Sequence, residues 1–171
     1  ALYLGEWERS LAYCARGLEL ARAAKDRRLQ SVGMWRTGAT HLLRGDPAAG
    51  LRAFEEALAL SPTPLDTTMI KMARGYGLVK AGDAETGTAL LREALEWFDK
   101  SRLHFTRTMT ALRLGEGLLR RGDREGARAL AAEIREASLQ RGYRYFEAMA
   151  ERLLGECLLR DDPSASAAHL D

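Results

Sequence analysis

The sequence predicts an all-α fold in which helical hairpins stack into a solenoid. Few Val, Ile and Thr stand beside abundant Ala, Leu, Arg and Glu, and there are only 4 prolines, so helix is favoured throughout. A Gly-Asp pair recurs with similar neighbours, and the segments between the pairs repeat apolar residues with a helical period. Repetition at a long, regular period is typical of a stacked array of small helical units.

Two glycine series share one register. The Gly-Asp pairs begin about 37 to 40 residues apart, at Gly45, Gly82 and Gly122, and Gly5 extends the series. The second series precedes this register by seven residues, at Gly38, Gly75 and Gly115, and continues at Gly155. We expect the first series to end helices in the left-handed conformation, with the following Asp capping the next helix. We expect the second series to let paired helices approach closely, opposite the small residues Gly50, Gly87 and Ala127.

The helices of the first half follow from these markers. A helix over 6–27 comes after Gly5, and the next, over 30–44, carries Gly38. Asp46-Pro47 opens the helix over 47–60, because Pro is tolerated at a first helical position. Helices over 65–81 and 84–101 flank the second Gly-Asp pair.

The second half repeats the same pattern. "LGEGLLR" at Leu114 and "LGECLLR" at Leu154 place their Leu residues on one face of helices over 104–121 and 144–160. A helix over 124–141 separates these two, and a last one over 163–171 is cut short. The sequence therefore predicts one solenoid over 1–171, with about four repeats and truncated terminal repeats, as a fragment of a larger protein.

Charge and hydropathy exclude several classes of function. The 26 basic and 24 acidic residues are mixed along the chain, which disfavours a nucleic-acid-binding surface. No apolar run approaches the ~18 residues of a membrane span, and no secretory signal begins the chain, so we expect a cytoplasmic location without membrane association. Cys14 and Cys157 stand far apart without a metal-binding motif, and we expect both to be buried apolar residues.

Catalytic chemistry is not predicted. The sequence has no phosphate-binding loop, no metalloprotease or hydrolase motif and no kinase signature. The three histidines, His41, His104 and His169, have no carboxylate or Cys neighbours at ligand spacing. We therefore expect no enzyme activity, no cofactor and no metal.

The repeat resembles the tetratricopeptide repeat family. Leu114-Gly115 and Leu154-Gly155 match the family's Leu-Gly pair, Ala57 and Ala94 match its later small residue, and Pro62 matches its terminal proline. The resemblance covers nearly the whole chain. It implies a right-handed superhelix with a concave surface that binds proteins or peptides.

The segment "RGYRYFEAMAERLLGECLLRDDPSASAAHLD" is similar to a narrower group. It resembles the long-helix repeat region that follows the ATPase modules of some bacterial adenylate-cyclase-like and LuxR-type regulators. This resemblance implies an interaction scaffold or signal-relay segment of a larger bacterial regulatory protein. Two alternatives are a peptide-sensing module of a transcriptional regulator and a passive spacer between domains.

The first helix of each repeat supplies the residues expected on the concave surface. Methionine and arginine are frequent among them, which favours a partner with apolar anchors and acidic groups, either another protein or another domain of the same chain. The oligomeric state is left open. The candidate residues are Trp35, Arg36, Met69, Met72, Tyr76, Lys80, Met109, Leu112, Arg113, Glu116, Arg120, Met149, Arg152, Glu156 and Arg160.

Overall fold

A computed structural model describes residues 4–159, which form eight α-helices and contain no β-strand. The predicted all-α class is therefore confirmed over this range. We call the helices that carry the second glycine series A helices. The remaining helices, which alternate with them along the chain, are called B helices. The A helices are α2 (Arg27–Leu43), α4 (Pro64–Ala81), α6 (His104–Arg120) and α8 (Arg144–Leu158). The B helices are α1 (Trp7–Ala23), α3 (Pro47–Leu60), α5 (Ala84–Lys100) and α7 (Arg124–Arg141).

The chain divides into two compact units, Ala1–Leu90 and Leu91–Asp171, with the boundary inside α5. In the first unit, α1 packs against α2, α2 against α3 and α3 against α4, and α2 also contacts α4. In the second unit, α6 packs against α7 and α7 against α8, and α6 also contacts α8. In both units a B helix therefore lies between two A helices that touch each other.

The predicted helix bounds agree with the structure to within one or two residues, except at the first turn. The sequence predicted a helix to residue 27 and a new one from 30, whereas α1 ends at Ala23 and α2 begins at Arg27. This turn contains no glycine. Lys25 itself adopts the left-handed conformation, with a φ of 53°. The Asp26 side chain then accepts a hydrogen bond from the Leu29 N–H at 2.9 Å. The predicted helix over 163–171 lies outside the described residues.

The Gly-Asp pairs form the predicted turns. Gly45, Gly82 and Gly122 have φ values of 95°, 102° and 85°, which close the last turn of each preceding helix. The following aspartates each accept a hydrogen bond from a backbone N–H of the next helix, at 2.9 to 3.0 Å. The capping prediction is therefore confirmed at all three sites.

The second glycine series permits close helix contact in the first unit. A Cβ added at Gly38 of α2 would lie 2.6 Å from the Phe54 ring and 2.9 Å from the Gly50 carbonyl oxygen of α3. A Cβ at Gly87 of α5 would lie 2.6 Å from the Gly75 carbonyl oxygen of α4. The predicted close pairs are confirmed here, because neither backbone leaves room for a side chain.

Gly115 differs from Gly38 and Gly75. Its nearest neighbour is Leu153 of α8, 2.6 Å from an added Cβ, whereas the carbonyl oxygen of Ala127 in α7 is 3.9 Å away. The expectation that Gly115 chiefly brings α6 close to α7 is therefore wrong. Ala127 carries a methyl group, whereas Gly50 and Gly87 have no side chain. The backbones of α6 and α7 are therefore further apart at this point.

Candidate protein-binding surface

The predicted surface residues of α2 combine an aromatic ring and a cation. The Arg36 guanidinium lies 5.2 Å from the centre of the Trp35 ring, in the range of a cation–π contact. Arg36 is exposed and Trp35 is half-buried. The Trp35 Nε1 atom is buried and has no hydrogen-bond partner within residues 4–159. Arg36 is therefore the more exposed residue of this pair.

A similar pair lies on α4. The Lys80 ammonium is 4.9 Å from the centre of the Tyr76 ring, and Lys80 is exposed while Tyr76 is buried. Met69 is half-buried, but Met72 has no exposed surface. Met72 was expected on the concave surface; the structure places it in the hydrophobic core instead, because it stands one turn below Tyr76 on the packed side of α4.

The charged residues of α6 and α8 form a network inside the second unit. The Arg152 guanidinium of α8 donates to the Glu116 carboxylate of α6 at 2.9 Å, and a second nitrogen donates to Glu156. Glu116 is buried, whereas Arg152 and Glu156 are half-buried. The sequence spacing allows the Arg152–Glu156 pair on one helix, but it does not show the link between the two A helices.

The other candidates divide between core and surface. Leu112 is buried, Met109, Arg113 and Met149 are half-buried, and Arg120 is exposed. Arg160 lies outside the described residues. The accessible candidates are therefore the exposed cations and the partly exposed methionines, whereas Met72 and Leu112 contribute to the core.

Two ionic clusters were not predicted from the sequence. Arg107 of α6 donates to Asp99 at the end of α5 at 2.7 Å, and its other side is 2.6 Å from Glu133 of α7. Arg107 therefore connects α5, α6 and α7 through residues that all belong to the second unit. No sequence motif indicates this cluster, because its three residues are far apart in the sequence and meet only when the helices pack.

The second cluster lies at the start of α4. Arg28 of α2 donates to both carboxylate oxygens of Asp66, at 2.9 and 3.3 Å. Thr63 caps α4 by accepting from the Asp66 N–H, and its hydroxyl donates to the Asp66 carboxylate at 2.6 Å. The hydrogen bond from Arg28 outweighs the opposing effect of burial and, with Thr63, lowers the pKa of Asp66 below its ordinary value. The spacing of Thr63 and Asp66 resembles a capping box. This sequence signal could have predicted the contact between Thr63 and Asp66.

The described residues contain no group of three His, Cys, Asp or Glu side chains that could hold a metal ion. His41 is half-buried, and its Nδ1 atom has no hydrogen-bond partner in this range. Cys157 is buried, which raises the pKa of its thiol, whereas Cys14 is partly exposed, contrary to expectation. Among the helices that the structure describes, none has the length and apolar character needed to cross a bilayer.

No protein-family model matches the chain, and no curated protein sequence matches it. The resemblance to tetratricopeptide repeats therefore depends on the repeat residues themselves.

Proposed function

We propose that this chain is a non-catalytic, tetratricopeptide-like solenoid segment that binds a protein or peptide through its A helices. In this proposal it acts as an interaction scaffold or signal-relay segment of a larger bacterial regulatory protein in the cytoplasm. The observation that carries the proposal is that A helices of each unit bear an exposed cation, Arg36 and Lys80 in the first unit and Arg120 in the second. The alternation of A and B helices in each unit supports the solenoid architecture, since each helix packs against its sequence neighbours.

The chemistry of these side chains defines the partner. Arg and Lys favour carboxylates, and the half-buried Met69, Met109 and Met149 offer adaptable apolar contacts on the A helices. A matching partner is an amphipathic helix or an extended segment with acidic residues and apolar anchors. Its affinity falls as the salt concentration rises, because exposed charges are screened over ~8 to 10 Å at physiological ionic strength.

A charge-reversal experiment tests this proposal. Peptides with acidic residues and Leu or Met anchors are selected from a displayed library on the wild-type chain. Their affinity is then measured for the double variant Lys80→Glu and Arg120→Glu. The matched control, Arg92→Glu and Arg128→Glu, makes the same change in net charge at exposed positions of the B helices α5 and α7.

We expect the A-helix variant to lose about tenfold or more in affinity, while the control retains wild-type affinity at physiological salt. Equal losses in both variants would show only a dependence on net charge. The spacer alternative is favoured by the internal pairing of Arg152 with Glu116 and Glu156, which leaves less charge for a partner. A selection that yields no peptide with wild-type affinity above the background would support the spacer.

A further inference from the structure

Four aromatic rings meet where α6 and α8 begin, and we call them the aromatic cluster. The centre of the Phe105 ring of α6 lies 5.1 Å from that of Phe146 of α8 and 5.9 Å from that of Tyr143. Tyr143 and Tyr145 each contact Phe146 as well, at 6.1 and 5.4 Å. The aromatic cluster therefore connects the starts of two A helices, and all of its residues belong to the second unit.

Two rings of the aromatic cluster are open to solvent. Phe105 and Tyr145 are each 57% exposed, whereas Phe146 is 3% exposed. Phe105 and Tyr145 stand at the same register position, and Leu65 at this position of α4 is also exposed. Phe105 is as exposed as Tyr145 although α8 packs against its own helix α6. The packing of a following A helix therefore leaves this position of the repeat accessible.

The first unit makes the same connection with polar side chains. Its residues Arg28, Thr63 and Asp66 occupy the register positions that the second unit fills with Phe105, Tyr143 and Phe146. In the first unit, Arg28 and Thr63 both donate hydrogen bonds to the Asp66 carboxylate. The repeat can therefore connect two A helices here without aromatic side chains. Exposed aromatic rings at such a position are typical of an interaction site.

The two turns beside the aromatic cluster are basic. Residues 100–106 include Lys100 and Arg102, residues 137–146 include Arg141 and Arg144, and neither segment contains an acidic residue. All four cations are exposed. Their position beside the exposed rings favours a partner that carries carboxylates, because complementary charge steers and orients association.

Two of the carboxylates that flank these turns in the sequence are already bound. Asp99 accepts a hydrogen bond from Arg107 at 2.7 Å, and Glu147 accepts one from Arg144 at 3.1 Å. Arg144 nevertheless keeps 85% of its side chain exposed. The positive charge of the turns therefore remains accessible to a partner.

The geometry of the rings favours a protein segment over other anionic partners. Single-stranded nucleic acid binds ring faces on which successive bases stack, whereas these rings meet edge-to-face at interplanar angles of 60° to 79°. Binding to a bilayer scales with the apolar area that is buried, and Phe105 and Tyr145 are the two exposed rings of the cluster. Proline side chains of an extended segment, in contrast, dock against aromatic rings at a low cost in entropy.

We propose that the aromatic cluster binds an extended segment of a partner protein, with prolines against Phe105 and Tyr145 and acidic residues against Arg102 and Arg144. This surface lies at the starts of α6 and α8, whereas Arg120, a cation of the proposed function, is the last residue of α6. The inference goes beyond the proposed function and does not depend on it.

A selection from a displayed library of random peptides tests the proposal. Peptides that bind the wild-type chain should be enriched in prolines beside acidic residues. Fluorescence anisotropy then measures their affinity for the triple variant Phe105→Arg, Tyr143→Thr and Phe146→Asp. This variant copies the polar residues of the first unit and leaves the net charge unchanged. We expect it to keep its helical circular dichroism and to lose about tenfold or more in affinity.

A milder variant keeps the test decisive if the triple variant does not fold. Tyr145→Ala removes one exposed ring and leaves the contact between Phe105 and Phe146 in place. It should lose about fivefold in affinity. The matched control is Leu65→Ala, which shortens the exposed side chain at the same register position of α4 and should bind as the wild type does.

A third variant tests the charge of the turns. Arg102→Gln with Arg144→Gln should weaken binding by about fivefold at low salt, and the difference from the wild type should shrink as the salt concentration rises. The control, Arg92→Gln with Arg128→Gln, removes the same charge from exposed positions of α5 and α7 in the second unit and should bind as the wild type does.

The charge-reversed variant Lys80→Glu/Arg120→Glu separates this surface from that of the proposed function. Peptides held by the aromatic cluster should keep their affinity for it at physiological salt. Loss of binding in this variant together with unchanged binding in Tyr145→Ala would assign the peptides to the other surface and overturn the inference alone.

Three further results would overturn the inference. The first is a selection in which no peptide distinguishes the wild type from Tyr145→Ala, or in which prolines and acidic residues are not enriched. The second is binding of phosphatidylserine vesicles or oligothymidylate that Tyr145→Ala weakens, while no peptide binds. The third is a concentration-dependent dimer in sedimentation equilibrium that Tyr145→Ala abolishes, because a second copy then occupies the aromatic cluster.

Discussion

The guanidinium of Arg152 on α8 hydrogen-bonds the buried carboxylate of Glu116 on α6 at 2.9 Å, which links two A helices directly. A buried carboxylate that loses its partner costs more than an exposed ion pair does, because it is left without compensation for desolvation. We therefore expect this pair to contribute to the free energy of unfolding of the second unit by joining α6 to α8.

Replacement of Arg152 by Ala should therefore lower the free energy of unfolding by about 1 to 2 kcal/mol, because it leaves the Glu116 carboxylate buried without this guanidinium. The control is Glu147→Ala, which removes an exposed i,i+3 pair with Arg144 on the same unit and should change stability by less than about 0.5 kcal/mol. Urea denaturation followed by circular dichroism measures both. Equal effects of the two substitutions would contradict the role assigned to Glu116.

Gly38→Ala and Gly17→Ala should change stability in opposite directions. At Gly38 the new methyl group meets the Phe54 ring and the Gly50 backbone, and such overpacking costs about 1 to 3 kcal/mol. At Gly17 nothing lies within 4 Å, so the better helix propensity of Ala should stabilise α1 by about 0.5 to 1 kcal/mol. Thermal unfolding compares the two variants. A stabilised Gly38→Ala variant would show that α2 and α3 are not in close contact.

The cap at Asp123 should depend on a hydrogen-bond acceptor rather than on charge. Asp123 accepts from the Gly126 N–H at 2.9 Å, so Asp123→Ala should cost about 0.5 to 2 kcal/mol. Asp123→Asn keeps the acceptor and should cost only a fraction of that amount. If the two variants lose equal stability in urea titrations, the charge of Asp123 has a role beyond capping.

Stability should decline at acidic pH through Asp66. Because Arg28 and Thr63 lower the pKa of Asp66 in the folded chain, ionised Asp66 stabilises the fold above its unfolded pKa of about 3.9. This contribution is lost as the pH falls through the lower, folded pKa. The stability difference between wild type and Asp66→Asn should be largest near neutral pH and shrink below about pH 3.9. A difference that stays constant from pH 7 to pH 2 would exclude this linkage.

Local signals in the sequence predicted most of the helices. Gly45-Asp46-Pro47 combines a helix end, a cap and a helix start, and each of these signals depends only on adjacent residues. The turn at Lys25 was misplaced, and no glycine marks it, since Lys25 itself adopts a positive φ. Arg102 does the same between α5 and α6, where the predicted bounds were correct to within one residue.

The candidate surface was predicted less completely, because position on a helix does not determine burial. The same register placed Met72, Lys80 and Arg120 on one surface, yet Met72 is fully buried. Contacts between distant residues, such as Arg107 with Glu133, arise from the packing of helices and have no local sequence pattern. Register therefore predicts which residues are equivalent, but packing decides which of them a partner can reach.

The central claim is that a partner binds on the A helices, and backbone amide NMR tests it most directly. A peptide selected on the wild-type chain is titrated into isotope-labelled protein, and chemical-shift changes are mapped onto α3 to α8. We predict that the largest changes lie on A helices, near Lys80 of α4 within the first unit and near Arg120 of α6 within the second, and are absent from Lys80→Glu/Arg120→Glu. Changes confined to exposed residues of the B helices α3, α5 and α7 would contradict the claim.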